Sequence, residues 1–291
     1  MSAAIALPLV RRRLRLSGAV TGVAALSGPA ALAVALPRSR GRDVGLYALH
    51  IWAFVVIHEL PYDEPEKLER RTRVGYPIAC DRTLGFGTAP TIRLQRALGR
   101  PGTTTRLDFF LTWVHWLWFL EPHLTVLWVL VRRPERFPRT AAMMGALFAA
   151  GAVVYVIVPT APPWWAAQEG RLPGARRIMV EVGERFWGRL WPHLYDFLGG
   201  NPVAAMPSLH FATSVMAASM LEEAGPIEGA LGWTYAGTLG FALVYLGEHY
   251  AIDLLAGFGL AEGLRRMGPR AAPAIARGSR VIQALEARAR A

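Results

Sequence analysis

The stretch TAAMMGALFAAGAVVYVIVP, residues 140–159, runs for twenty residues without a charged side chain. A helix of that length rises about 30 Å, the thickness of a bilayer's hydrocarbon core. Five further segments, 44–60, 110–131, 207–222, 229–247 and 250–267, are similarly apolar, and together the six predict an all-α integral membrane protein with a six-helix transmembrane core. The segment 110–131 is interrupted by Glu121-Pro122, where a proline without a backbone N–H kinks a helix or moves its start. Through the short basic linker Arg132–Arg139 it forms a helical hairpin with 140–159. A seventh segment, 17–37, is mostly Ala, Gly and Val behind Arg11, Arg12, Arg13 and Arg15. It reads as a weak span, an interfacial helix or an uncleaved signal-like start.

Composition points to the same solvent. Of 291 residues, 53% are hydrophobic and only 18% charged, with ten tryptophans, more apolar surface than a soluble core needs. The net charge of +11 comes almost wholly from arginine, since Lys67 is the single lysine. The arginine clusters flank apolar runs, no basic stripe interleaved with aromatics appears, and no Cys/His finger spacing exists, so no nucleic-acid partner is expected. The lone Cys80 excludes an intramolecular disulfide and a multi-cysteine metal site. Three parts follow: a basic and apolar N-terminal segment, 1–43; the membrane domain, 44–267; and an Arg/Ala-rich tail, 268–291, expected as a cytoplasmic surface helix or a frayed end.

Arginines in short connections are retained on the cytoplasmic side. Arg38, Arg40 and Arg42 precede the first of the six spans, Arg132, Arg133, Arg136 and Arg139 join the second to the third, and Arg265, Arg266 and Arg270 follow the last. Alternation puts all three clusters on one side, the cytoplasmic one. The loops 61–109 and 160–206 and the turn 247–250 then face outward from a multi-pass protein of the plasma (inner) membrane. The Arg11–Arg15 cluster opposes this orientation if 17–37 spans, as do several arginines in 61–107.

Two stretches carry chemistry, NPVAAMPSLH (Asn201–His210) and YLGEHYAID (Tyr245–Asp253), and alternation puts both on one face. His249 and Asp253 are four apart, so on a helix they share a side about 5–6 Å apart at Cβ. A carboxylate there orients the imidazole, makes its far nitrogen more basic and stabilises the imidazolium formed when that nitrogen attacks an electrophile. His210 is placed to protonate a leaving alkoxide. A lone His–Asp pair in a membrane helix more often only joins helices. Three ionisable groups at one end of adjacent spans, one behind Pro-Ser, favour catalysis.

These two stretches resemble the second and third signature motifs of the type-2 phosphatidic acid phosphatase superfamily of membrane lipid phosphatases and phosphotransferases. The forms A-M-P-S-L-H and Y-L-x-x-H-Y-x-x-D-L are similar to those of its inositol phosphorylceramide synthase-like (inositolphosphotransferase) branch, as are DRTLGFGTAP (Asp81–Pro90) and PTAPPWW (Pro159–Trp165). The resemblance implies a phosphohistidine mechanism on a lipid phosphate, without metal or other cofactor. His249 would be the nucleophile, Asp253 would orient it and His210 would protonate the leaving group.

The chain also departs from the superfamily's pattern. Ala242 and Leu243 stand where the phosphatase branch has Ser-Arg, so one expected phosphate clamp is missing. Lys67 belongs to no K-x6-R-P pattern; Arg93 and Arg100-Pro101 have its spacing, with Arg for Lys, far upstream. The candidate clamps are Arg82, Arg93, Arg100, Arg171, Arg176 and Arg177, against the plain alternative of solvated loop arginines. Ser208 is a candidate for phosphate binding and for capping a helix. No G-x-S-x-G elbow supports a serine hydrolase, and two histidines with one aspartate remain a formally valid metal set. Tyr245, Tyr250 and the tryptophans of 164–191 suit an interface, and His50, His58, His115, His123 and His193 read as structural. A non-catalytic lipid-phosphate binding or transport protein is the rival from another class.

Overall fold

The structure is a computed structural model that describes residues 2–198 and 201–290. The described residues form helices joined by short loops, with no strand among them; two isolated bridges tie Arg73 to Thr160 and Thr160 to Ala204. The helices are α1 Ser2–Val10, α2 Gly18–Ala35, α3 Arg40–Glu59, α4 Pro65–Arg71, α5 Gly75–Leu84, α6 Pro90–Leu98, α7 Arg106–Leu117, α8 Glu121–Arg132, α9 Phe137–Ile157, α10 Pro163–Gln168, α11 Ile178–Trp187, α12 Trp191–Leu198, α13 Leu209–Glu222, α14 Pro226–Tyr245 and α15 Ala251–Arg290.

Three helical stretches are long and apolar enough to cross a membrane: Gly18–Ala35, Arg40–Asp63 and Phe137–Ile157. Paired, α7 and α8 make a fourth, bent by 52°. The bend falls just before Pro122, where the 110–131 segment was expected to kink. The segment 17–37 is therefore a span-length helix, packed against α3.

α13, α14 and α15 do not combine that length and apolarity, although the sequence suggests spans there, and for α13 the reason is its position. With 14 residues, α13 rises about 21 Å, less than a hydrocarbon core. The main core draws on α3, α8, α9 and α15 as well as α13, whose own Leu209, Ala212, Val215, Met216, Ala217 and Met220 are buried among α8, α9, α14 and α15. A helix wrapped by protein meets little lipid and needs no full-length apolar exterior.

The tail continues α15 as helix to Arg290, through Pro269 and Pro273, and it is anchored: Glu286 pairs with Arg42 and lies 3.5 Å from Arg38. Residue 291 lies outside the described residues. The turn between α8 and α9, the end of α13 and Arg265 of α15 meet in one small crevice, where Arg139 binds Glu223 at 2.9 Å and Arg136 donates to the Glu223 carbonyl. Two of the three arginine clusters thus share one end of the bundle, opposite the start of α13. At the far end of α3, Arg11 pairs with Glu59 and Asp63, and Arg12 with Asp63, so the N-terminal arginines lie away from Arg42.

Candidate active site

The two motif stretches meet because α13 and α15 are fastened at their starts. Ser208 caps α13, its hydroxyl accepting from Phe211 N at 3.3 Å, and its own N–H donates to the Asp253 carbonyl at 3.0 Å. Gly257 permits this approach, since a Cβ there would stand 2.5 Å from the Ser208 carbonyl oxygen. Tyr155 of α9 holds the same corner, donating to the Pro207 carbonyl at 2.6 Å and accepting from Leu209 N at 3.2 Å.

This fastening brings His210, His249 and Asp253 together. His210 Nδ1 lies 3.0 Å from His249 Nε2, and His249 Nδ1 faces Asp253 Oδ2 at 3.4 Å. Asp253 is fully buried; its Oδ2 accepts from Tyr250 N at 2.8 Å and its Oδ1 has no protein partner. The chain is His210, His249, Asp253, in that order, and the His210 ring packs on Trp118 with centroids 4.0 Å apart.

His210 and His249 open on a cavity of about 380 Å³. Its wall is mostly apolar, with Phe54, Phe148 and Tyr155 and with Trp116, Trp118 and Phe119 around the bend between α7 and α8, and it also carries the polar side chains of Glu59, Asn201, Arg177 and Glu248. A mostly apolar wall with a few charged groups suits a molecule with a hydrocarbon part and a charged head.

The other expected site residues lie elsewhere. Ser208 is fully buried and caps its helix. Arg82, Arg93, Arg100 and Arg171 are exposed on α5, on α6, after α6 and after α10, and none of them lines the cavity. Arg176 is turned to Glu181 and to the carbonyls of Arg100 and Thr103. Arg177 alone of the six candidate arginines reaches the cavity wall.

Three residues gain importance that the sequence reading did not give them. His58 and His115 line the cavity, with the His115 ring 5.0 Å from His210 and both of its buried nitrogens unpartnered. His123 also lines the cavity but is tied to the Tyr47 hydroxyl, and His50 is tied to the Gly145 carbonyl, as packing histidines are. His115 carried a signal, as an ionisable group inside an apolar span. The third is Asp81, which opens the DRTLGFGTAP stretch. Its carboxylate accepts from Ala251 N at 3.1 Å and Ile252 N at 2.9 Å, capping α15 from another helix at the turn that presents His249 and Asp253. Burial pushes the Asp81 carboxyl up to about 6 although both backbone donors pull it down.

Among the described residues no group of three or more His, Cys, Asp or Glu side chains is arranged to hold a metal ion. No curated protein and no solved structure matches the chain. A family model described as PAP2 superfamily matches residues 78–264, a span that contains both histidines, Asp253, Asp81 and the bend. That match covers well over half of the sequence, and the chain belongs to the PAP2 superfamily, membrane enzymes of phosphatase and phosphotransferase type that act on lipid phosphates.

Proposed function

We propose that the protein is a lipid-phosphate phosphatase or phosphotransferase of the plasma membrane that works through a phosphohistidine on His249, at the end of the bundle facing out of the cytoplasm. The observation that carries this reading is the row His210, His249, Asp253 opening on a mostly apolar cavity that also holds charged side chains.

With its Nδ1 proton turned to Asp253, His249 leaves Nε2 as a free base, and the 3.0 Å contact makes His210 Nδ1 the donor. His249 Nε2 attacks the phosphorus of a lipid-linked phosphate. The ester bond breaks as His210, entering the step as the imidazolium, gives one proton to the departing oxygen and is left neutral. Asp253 offsets the charge that develops on the His249 ring. In the second half His210 takes a proton from water or an alcohol, whose oxygen attacks the phosphohistidine and releases Nε2. The chain's own groups account for every proton moved.

Orientation is supported by the arginine crevice at the opposite end of α13. Phosphatase action, with water as acceptor, is the main reading. Transfer of a phospho-headgroup between lipids, as in an inositolphosphotransferase, is the alternative, favoured by the A-M-P-S-L-H and Y-L-x-x-H-Y-x-x-D-L forms. Quenching the detergent-purified protein within milliseconds of adding a radiolabelled lipid phosphate tests the mechanism. Acid-labile, base-stable label on His249 is expected, and an acid-stable phosphoester in its place would overturn it.

A further inference from the structure

The arginine that the phosphatase branch places before the last histidine is absent, and among the described residues the only arginine lining the cavity comes from a different loop. Arg177 precedes α11, yet its position is built with care. Gln95 donates to the carbonyls of Arg176 and Tyr245 at 2.9 and 2.8 Å, and accepts from Arg176 N at 2.8 Å. Ile178 N donates to the Leu246 carbonyl at 3.1 Å, and Trp164 N to the Gly247 carbonyl at 3.2 Å. Gly247, at φ +82°, lies so close to the Arg176 carbonyl that a Cβ would collide with it. The loop that carries Arg177 is thereby fixed to the turn that carries His249.

The Arg177 side chain is equally constrained. Its guanidinium lies over the Trp164 ring, 3.7 Å from the centroid, and 5.1 Å from that of Tyr195. Its Nε meets Glu248 Oε1 at 3.2 Å, and Nη2 reaches Oε2 at 3.5 Å. Both side chains are largely buried and both line the cavity beside His249. A planar guanidinium placed over an aromatic ring keeps N–H donors that can fork onto a carboxylate or a phosphate in the same way. Here a carboxylate occupies them.

We propose that Arg177 is the phosphate-binding residue of this cavity and that Glu248 is its resident counter-ion, which a phosphoryl group displaces on binding. This rests on the reading of the cavity as a phosphoryl-transfer site. Glu248 adjoins the nucleophile, so the exchange aligns the phosphorus with His249 only when a dianionic or monoanionic phosphoryl group has taken the arginine. A ligand without such a group leaves the pair closed.

The two halves of the ion pair then have opposite effects, which a merely structural brace would not show. The test uses the full-length protein in detergent, with inorganic phosphate and a short-chain phosphatidate as separate probes, read as direct binding and as KM against kcat. Arg177→Gln is expected to weaken binding of both probes by about tenfold or more, while Glu248→Gln, which frees the guanidinium, tightens it. In the Arg177→Gln background the Glu248 change should lose its effect. Arg177→Lys, which keeps the charge but not the fork, should fall between wild type and Arg177→Gln, and unfolding midpoints verify that each variant is folded. Binding of phosphatidate with these signs while inorganic phosphate binds to no variant would assign the site to lipid-borne phosphate alone. Weakening by Glu248→Gln as large as by Arg177→Gln would overturn the proposal. Phosphate binding with the expected signs but no turnover of any lipid phosphate would leave Arg177 as the anion site and overturn the reaction instead.

Discussion

The two ends of α13 treat polar groups in opposite ways. At its C-terminal end, Arg136 and Arg139 pair with Glu223, exposed and screened. At its N-terminal end, the half-buried His210 packs against Trp118 and its ring's polar partner is another histidine. Charges that pair and face solvent are cheap and contribute little. Imidazoles drawn out of water, with Asp253 Oδ1 and both His115 nitrogens left without partners, are costly, and a fold keeps such an arrangement where a ligand completes it.

That contrast sets the order of expected effects. His210→Ala removes the proton donor and should lower kcat by about 10²- to 10⁴-fold, with the unfolding midpoint unchanged. A loss that appears only in stability would make His210 a packing residue. Asp253→Asn keeps the shape but releases the His249 ring, and should cost about 10- to 100-fold in kcat at nearly constant KM. Unchanged kinetics would dissociate the carboxylate from the imidazole. Asp81→Ala removes two hydrogen bonds from the first turn of α15; it should cost about 1–2 kcal/mol of stability and lower kcat more than it raises KM. Recovery of kcat in Asp81→Asn, which retains an acceptor, would show that the cap acts by positioning. At the other end, Arg139→Ala should change stability by no more than about 1 kcal/mol and leave turnover untouched. A catalytic defect there would erase the distinction between the ends.

The sequence makes legible whatever is local. His249 and Asp253 are visible as a pair because one helical turn separates them, and Ser208 because a cap precedes its helix. The bend at Pro122 and the apolar run of α9 follow from single-residue chemistry and periodicity. What is not legible depends on packing between distant segments. Asp81 reaches a helix 170 residues away, and nothing in DRTLGFGTAP announces which backbone it will cap. Arg177 is set apart from Arg176 on the same loop only by where its side chain lands, over Trp164 and against Glu248 instead of on Glu181. The short span of α13 is concealed for a related reason: its residues are as apolar as those of a lipid-facing helix, but protein surrounds them. His115 is hidden because its unpartnered nitrogens depend on what the bend places around them.

The most direct test is release of phosphate, and formation of new phospho-products, from a panel of lipid phosphates by the purified protein and its His249→Ala variant in excess chelator. Chelator-resistant turnover that vanishes in a folded His249→Ala variant is the expected result, and turnover that survives the loss of His249 would contradict the account at its centre.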